Sequence, residues 1–355
     1  MKKFLALILA LVMTLALCAC GETKTDTPAP TEAAAPENTA AAAENTEAPY
    51  DEVTLRLSHP NSIDQPIGKA FDNFAALVNE RSGGKVTVDV YPSSSLYNNE
   101  DAQAAIQLGN LDMCLIDTSA LSNDLPLFSI YSLPFLYDSY ATLNEVVNGD
   151  IGAENDKIAE DRLGIVPLGW GWNGVRNMCT NDPLTSLADC KNYKLRSPGV
   201  DLYIDTFKLL GMSPTVIPWG DCYTAMQSGV VDGVETTTEA IYTQGFAALG
   251  GNVCLSRHMF SIVGLAINKD RFEQLNDATQ QLLRECWIEC RDELNKTVEG
   301  EEDGYVQKIK DDGCNVTEFS DRDDIVAIFT PYWQELAEKG GYTEQLNEII
   351  ALIGG

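Results

Sequence analysis

Histidine is nearly absent from this chain, with only His59 and His258 among 355 residues. Chemistry that needs clustered imidazoles is therefore excluded, and no G-x-S-x-G or H-E-x-x-H motif supplies an alternative hydrolytic centre. Positive charge is scarce as well: 24 Lys and Arg stand against 53 Asp and Glu, a formal net charge of -29. A surface this acidic has no means of neutralising phosphates, so nucleic acid is not a partner. Ten cysteines are present, but the ones beyond Cys18 and Cys20 lack paired C-x-x-C spacing, so no metal site is expected. The residues in hand call for no cofactor.

The ends of the chain are informative. Lys2 and Lys3 precede an uncharged apolar run from Phe4 to Leu17, which is too short for a mature spanning helix and reads as an export signal. Residues 1–20 form the signal segment with its lipobox: Leu17-Cys18-Ala19-Cys20-Gly21 resembles the bacterial motif, and Cys20 is the expected lipid-bearing first residue of the mature protein. Such an anchor holds a protein at a membrane surface without threading it. Residues 21–50 are Thr, Ala, Pro and Glu with almost no bulky apolar side chain, a composition that cannot offset the entropy of ordering. They read as a tether, and export permits disulfides among Cys114, Cys179, Cys190, Cys222, Cys254 and Cys314.

Beyond the tether, helical and strand periodicities alternate. Glu52–Ser58 and Lys85–Tyr91 alternate as strands around a helix whose apolar face is Ile67, Ala70, Phe71, Phe74, Leu77 and Val78. A helix at Glu100–Leu108 leads to a strand at Leu111–Ile116, and the pattern returns over Tyr193–Val230. This predicts an α/β fold of parallel strands with helical crossovers. Ala105-x-Gln107-x-Gly109-x-x-Asp112 recurs as Ala225-x-Gln227-x-Gly229-x-x-Asp232, which predicts two related lobes. A helix from about Asn276 to Asp312 would be on the order of 50 Å long, enough to lie across both, with Gly300 and Gly304 as candidate breaks.

Ligands of open parallel sheets collect at the carboxyl ends of strands. Arg196, Trp219 and the Glu235-Thr236-Thr237 run fall there, and Asp117 ends the matching strand of the other lobe. Arg176 lies upstream in the segment that contains Trp170 and Trp172. Guanidinium groups offer two parallel donors to a carboxylate and cannot be neutralised, so Arg196 and Arg176 suggest an anion site. The competing reading makes each arginine a structural ion pair with one of the many carboxylates. Trp172 is a candidate apolar wall or else a core aromatic.

Arg176-Asn177, Lys194-Leu195-Arg196-Ser197-Pro198, Pro218-Trp219-Gly220-Asp221-Cys222-Tyr223-Thr224-Ala225 and Val231-Asp232-Gly233-Val234-Glu235 occur in this order, with Gly83-Gly84, Tyr91-Pro92 and Leu133-Pro134-Phe135-Leu136 before them. On these residues the chain, from about Val53 onward, resembles the solute-binding proteins of TRAP transporters, the tripartite ATP-independent carriers of organic acids. The resemblance implies a two-lobed periplasmic-binding-protein-like fold with a hinged cleft and a long helix spanning both lobes. Lobe I would take 51–173 plus about 262–300, and lobe II 174–261 plus about 301–355. It also implies that Arg196 is the chief partner of the ligand carboxylate and Arg176 a second cationic contact. Trp219 stands where the family commonly has phenylalanine and Thr236 where it has asparagine; Asp117 and, in the first cleft loop, His59 are further candidate contacts.

The expected activity is binding without catalysis: a monomeric, extracytoplasmic, lipid-anchored protein that captures a small organic acid and hands it to membrane subunits. A lipoprotein of the same fold that senses the ligand and reports to a receptor would carry the same cleft.

Overall fold

A computed structural model describes residues 49–353. The expected export signal, Cys20 and nearly all of the tether lie outside the described residues.

Among the described residues nine strands form one sheet: β1 Val53–Ser58, β2 Val86–Tyr91, β3 Met113–Asp117, β4 Ile165–Thr180, β5 Lys194–Ser197, β6 Ser213–Val216, β7 Gly233–Thr237, β8 Asn252–Asn268 and β9 Asn315–Thr317. Their order is β2-β1-β3-β8-β4-β7-β5-β6, and β9 adds to the start of β8. On one side β1 pairs parallel with β2 and β3; on the other β5 pairs parallel with β6 and β7. The expected α/β alternation is present in both halves, with helices Pro66–Arg81 and Asn99–Gln107 in the first and Asp201–Leu209 and Cys222–Gln227 in the second.

Two separate α/β alternations would give two sheets, one for each lobe; instead a single sheet runs through both halves. Gly164–Gly169 and Phe260–Ile267, which in sequence read only as short strands, are parts of β4 and β8, of 16 and 17 residues, which run antiparallel to each other through both halves. The alternation rule fails because nearly every residue of both strands is buried, so neither presents a polar face to mark its length. Register shifts interrupt the pairing at Pro167/Gly169, Trp172/Gly174 and Arg176/Met178. The second falls opposite Ile262 and Ser261, midway along the pair. Gly169, Gly171 and Gly174 have the spacing of a dinucleotide-binding turn, yet all three lie inside β4 and none opens a helix.

One helix, Asp277–Asp311, is unbroken for 35 residues, so Gly300 and Gly304 do not end it. Asn276 caps it by accepting from the Thr279 amide at 2.9 Å. Leu282, Leu283, Cys286, Trp287, Cys290 and Leu294 join the core formed by β1, β3 and the Pro66–Arg81 helix, where Trp287 stacks on Phe71 at 5.2 Å. Ile309, near its far end, joins the core of the other half with Val234, Ile241 and Val253. The Trp287 indole N–H donates to the Gly169 carbonyl at 2.8 Å and Asn295 accepts from the Trp172 amide at 2.8 Å, which pins this helix to β4. It spans both lobes.

The eight described cysteines are free, seven of them buried and Cys314 partly so. The disulfides expected from export are not formed among them. Cys179 and Cys314 donate instead to the neighbouring carbonyls of Phe246 and Ala247. Buried thiols of this kind act as small apolar side chains.

Candidate functional site

The internal repeat builds the site. Gly109 and Gly229 both take positive φ, 74° and 73°, at the ends of equivalent helices. The next amides, of Asn110 and Val230, reach back to the Ala105 and Ala225 carbonyls at 2.8 and 2.9 Å. Left-handed backbone is cheap only for glycine, which is why the motif is legible in sequence. Each copy then feeds a buried strand, β3 or β7, and each strand ends on a helix cap. Asp117 accepts from the Ser119 amide at 2.8 Å, and Thr237 accepts from the Ala240 amide at 3.4 Å. The two strand ends are thereby aimed at the same space from opposite lobes.

That space is a cleft of about 370 Å³, lined by Asp117, Arg176, Arg196, Trp219 and Thr236 together with polar side chains such as Gln65 and Asn123. Five of the residues singled out in the sequence therefore meet in one cavity. Among the described residues no cluster of His, Cys, Asp and Glu has the makings of a metal site.

Both arginines are organised by one carboxylate, Glu235, which is fully buried behind the cavity wall. Its Oε2 accepts from Arg176 Nε at 2.7 Å and its Oε1 from Arg176 Nη2 at 2.8 Å. Oε1 also accepts from Arg196 Nη1 at 3.4 Å, while Arg196 Nε donates to the Ile217 carbonyl at 2.9 Å. His258 Nε2 stands 3.4 Å from Oε2, and its Nδ1 is 2.8 Å from the Ser256 hydroxyl. Burial opposes ionisation of Glu235, but the charge of Arg176 and its two hydrogen bonds, with His258 close by, outweigh it and draw its pKa down to about 2. Burial pushes the pKa of His258 down, against the pull of Glu235. The ion-pair reading of Arg176 is thus correct as geometry, and it coexists with a position on the cavity wall. Arg176 lies over the Tyr203 ring at 4.8 Å and Arg196 over Trp219 at 5.8 Å. Arg176 Nη1 and Arg196 Nη2 have no hydrogen-bond partner among the described residues.

Two candidates need correction. Trp172 does not line the cavity: it is 1% exposed, packs on Tyr140 at 5.5 Å, and donates to Glu299 at 2.8 Å from the long helix. In a regular strand residues 172 and 176 would share a face; the register shift between Trp172 and Gly174 breaks that phase, so Arg176 reaches the cleft while Trp172 stays in the core. His59 is likewise fully buried, with its ring 4.9 Å from Phe71, although the following Pro60 and Asn61 reach the cavity. Desolvation lowers the His59 pKa to about 4.

Sequence reasoning missed the residues that close the gap between the lobes. Asn123 Nδ2 donates to the Gly199 carbonyl at 3.0 Å, and its Oδ1 accepts from the Asp201 amide at 3.1 Å. Gln65 Nε2 donates to Glu239 Oε2 at 3.2 Å. Isolated amides in loops carry no periodic signal, and only their partners in the other lobe give them meaning. Tyr203 sat in plain view on an expected helix, but nothing local indicated that it would support Arg176.

The architecture defines a two-lobed α/β binding protein whose cleft opens at the strand ends of both lobes. The model of the bacterial extracellular solute-binding proteins, family 7, matches residues 57–340, and the chain belongs to this family. Among curated relatives, a solute-binding protein of Roseobacter denitrificans is 30% identical over 64% of this chain and 70% of its own length. The C4-dicarboxylate-binding periplasmic protein of Rhodobacter capsulatus is 29% identical over 81% and 88%. Among solved structures, a TRAP periplasmic solute-binding protein from Desulfovibrio salexigens with bound orotic acid superposes with a TM-score of 0.78 at 26% identity, covering 84% of this chain and 99% of that one. The sugar acid binding protein of Advenella mimigardefordensis with galactonate superposes with a TM-score of 0.80 at 24% identity, covering 85% and 98%.

Proposed function

We propose that this protein captures an organic acid by its carboxylate between Arg196 and Arg176, closes over it, and delivers it to the membrane subunits of a TRAP transporter. The observation that carries the reading is the pair of guanidinium groups on the cavity wall, fixed from behind by Glu235 and each with a terminal nitrogen turned to no protein acceptor. A carboxylate meeting preorganised donors in an enclosed site gains more than it would in water. Trp219, Thr236 and Asp117 complete the wall and contact the rest of the ligand. The relatives named for C4-dicarboxylates and sugar acids support an organic acid as the class.

The lobes divide at residues 173/174 and 261/262, and the bulge in β4 between Trp172 and Gly174, opposite Ile262 and Ser261, supports a hinge there. Lobe I then takes 51–173 with about 262–300, and lobe II 174–261 with about 301–355. The protein acts as a monomer outside the cytoplasm, tethered through a lipid on Cys20, and binds its ligand without transforming it. A thermal-shift screen of monocarboxylates, dicarboxylates, uronates and keto acids tests the reading. Ligands raise the melting temperature of wild type and leave Arg196→Ala unmoved; a panel with no stabilising acid overturns it.

A further inference from the structure

We infer that the cleft selects an acid with a single carboxylate and a hydroxyl-bearing tail, and rejects acids carrying a second carboxylate, with Asp117 as the residue that sets this choice. The inference rests on the carboxylate-capture reading and specifies its ligand.

The charge inventory of the cavity is lopsided. Its lining contains two cations, Arg176 and Arg196, and both lie at one end against the buried, ionised Glu235. One of the two positive charges is therefore already balanced inside the protein. The other acidic groups of the lining are Asp117 on the opposing lobe and the exposed Glu100 and Asp124 near the mouth, and no Lys or Arg accompanies them. With Asp117 protonated, the inner site presents one net positive charge; with Asp117 ionised, it presents none. A ligand with one carboxylate brings the first state to neutrality, and in the second it carries one charge fewer than a di-acid. One with two leaves an uncompensated negative charge in an enclosed site, where interactions between charges are weakly screened.

Hydrogen bonding leads to the same choice. Beyond the arginines and Asp117 the lining is rich in amides, including Asn61, Gln65, Asn123 and Asn173. A hydroxyl donates to any of these oxygens and accepts from the amide nitrogens. A second carboxylate only accepts, so it would meet Glu100 and Asp124 with acceptor against acceptor.

Matched pairs that differ only at the far terminus test the assignment: D-gluconate against D-glucarate, and 4-hydroxybutyrate against succinate, by titration calorimetry on the intact mature protein. The mono-acid of any pair that binds is expected to bind ten- to a hundredfold more tightly. In Asp117→Asn, which keeps an oxygen to cap Ser119, that gap is expected to narrow about tenfold through gain for the di-acid. A di-acid that binds as well as or better than its partner overturns the inference while leaving carboxylate capture intact. An Asp117→Asn protein that stays folded, with an unchanged gap, removes Asp117 from the role. Failure of all four acids to bind rejects the inference, whereas the capture reading falls only if the wider thermal-shift panel also finds no stabilising acid.

Discussion

Arg176 and Glu235 form a bidentate ion pair at 2.7 and 2.8 Å in the interior of the molecule, and the same carboxylate reaches Arg196 at 3.4 Å. An acid buried among cations is what allows two guanidinium groups to share one wall without repelling each other apart. The cavity therefore acquires its positive end from a cluster that is structural on one side and exposed to ligand on the other.

Removing the carboxylate charge should damage folding before it damages binding. Glu235→Gln leaves two buried cations with one counter-charge fewer, and a loss of about 3 to 5 kcal/mol in urea denaturation is expected. The pKa of Glu235 lies near 2, below its ordinary value of 4.5, so the stabilisation it supplies is complete above about pH 4.5 and is lost as pH falls toward 2. The variant should show a flatter acid limb in that window.

Binding should depend on Arg196 more than on any other single side chain. Arg196→Ala is expected to weaken the best ligand found by about 2 to 5 kcal/mol, because a closed cleft leaves the carboxylate without its charged partner. Unchanged affinity by calorimetry removes this residue from the site.

His59 should be felt as acid sensitivity. Its ring nitrogens have no hydrogen-bond partner among the described residues, and desolvation lowers its pKa from 6.5 to about 4. The unfolded chain therefore takes up this proton first, so the stability contribution is full above about pH 6.5 and falls away as pH drops toward 4, by about 3 kcal/mol. His59→Phe, which keeps an aromatic beside Phe71, should abolish that slope in denaturation measured across the window.

Closure should be adjustable without touching the arginines. Asn123→Ala removes two bonds to the opposing lobe, to the Gly199 carbonyl and the Asp201 amide, and is expected to cost about 1 kcal/mol in ligand affinity, roughly fivefold. Small-angle scattering on the liganded variant should show a larger open fraction than wild type.

Gly174 occupies φ of 130° at the central bulge, and a Cβ there would stand 3.0 Å from the Thr237 side chain. Gly174→Ala is expected to lose about 1 to 3 kcal/mol of stability from backbone strain. A melting temperature equal to wild type would show that the bulge relaxes without penalty.

Amino-acid order alone determined the α/β alternation, the repeat ending in Gly109 and Gly229, the long helix, and five of the residues that line the cleft. These features are local: glycine at positive φ, apolar spacing and strand-end position are written in consecutive residues. Tertiary structure decided the rest. Whether Trp172 faces ligand or core depends on which side of β4 the long helix covers, and β4 itself hides its length because it is buried throughout. The pairing of Arg176 with Glu235, 59 residues apart, and of Asn123 with the Asp201 amide across the cleft arises only when separate lobes are brought together. Electrostatic pairing acts through space, and a carboxylate that balances two arginines looks in sequence like any other of 53 acidic residues.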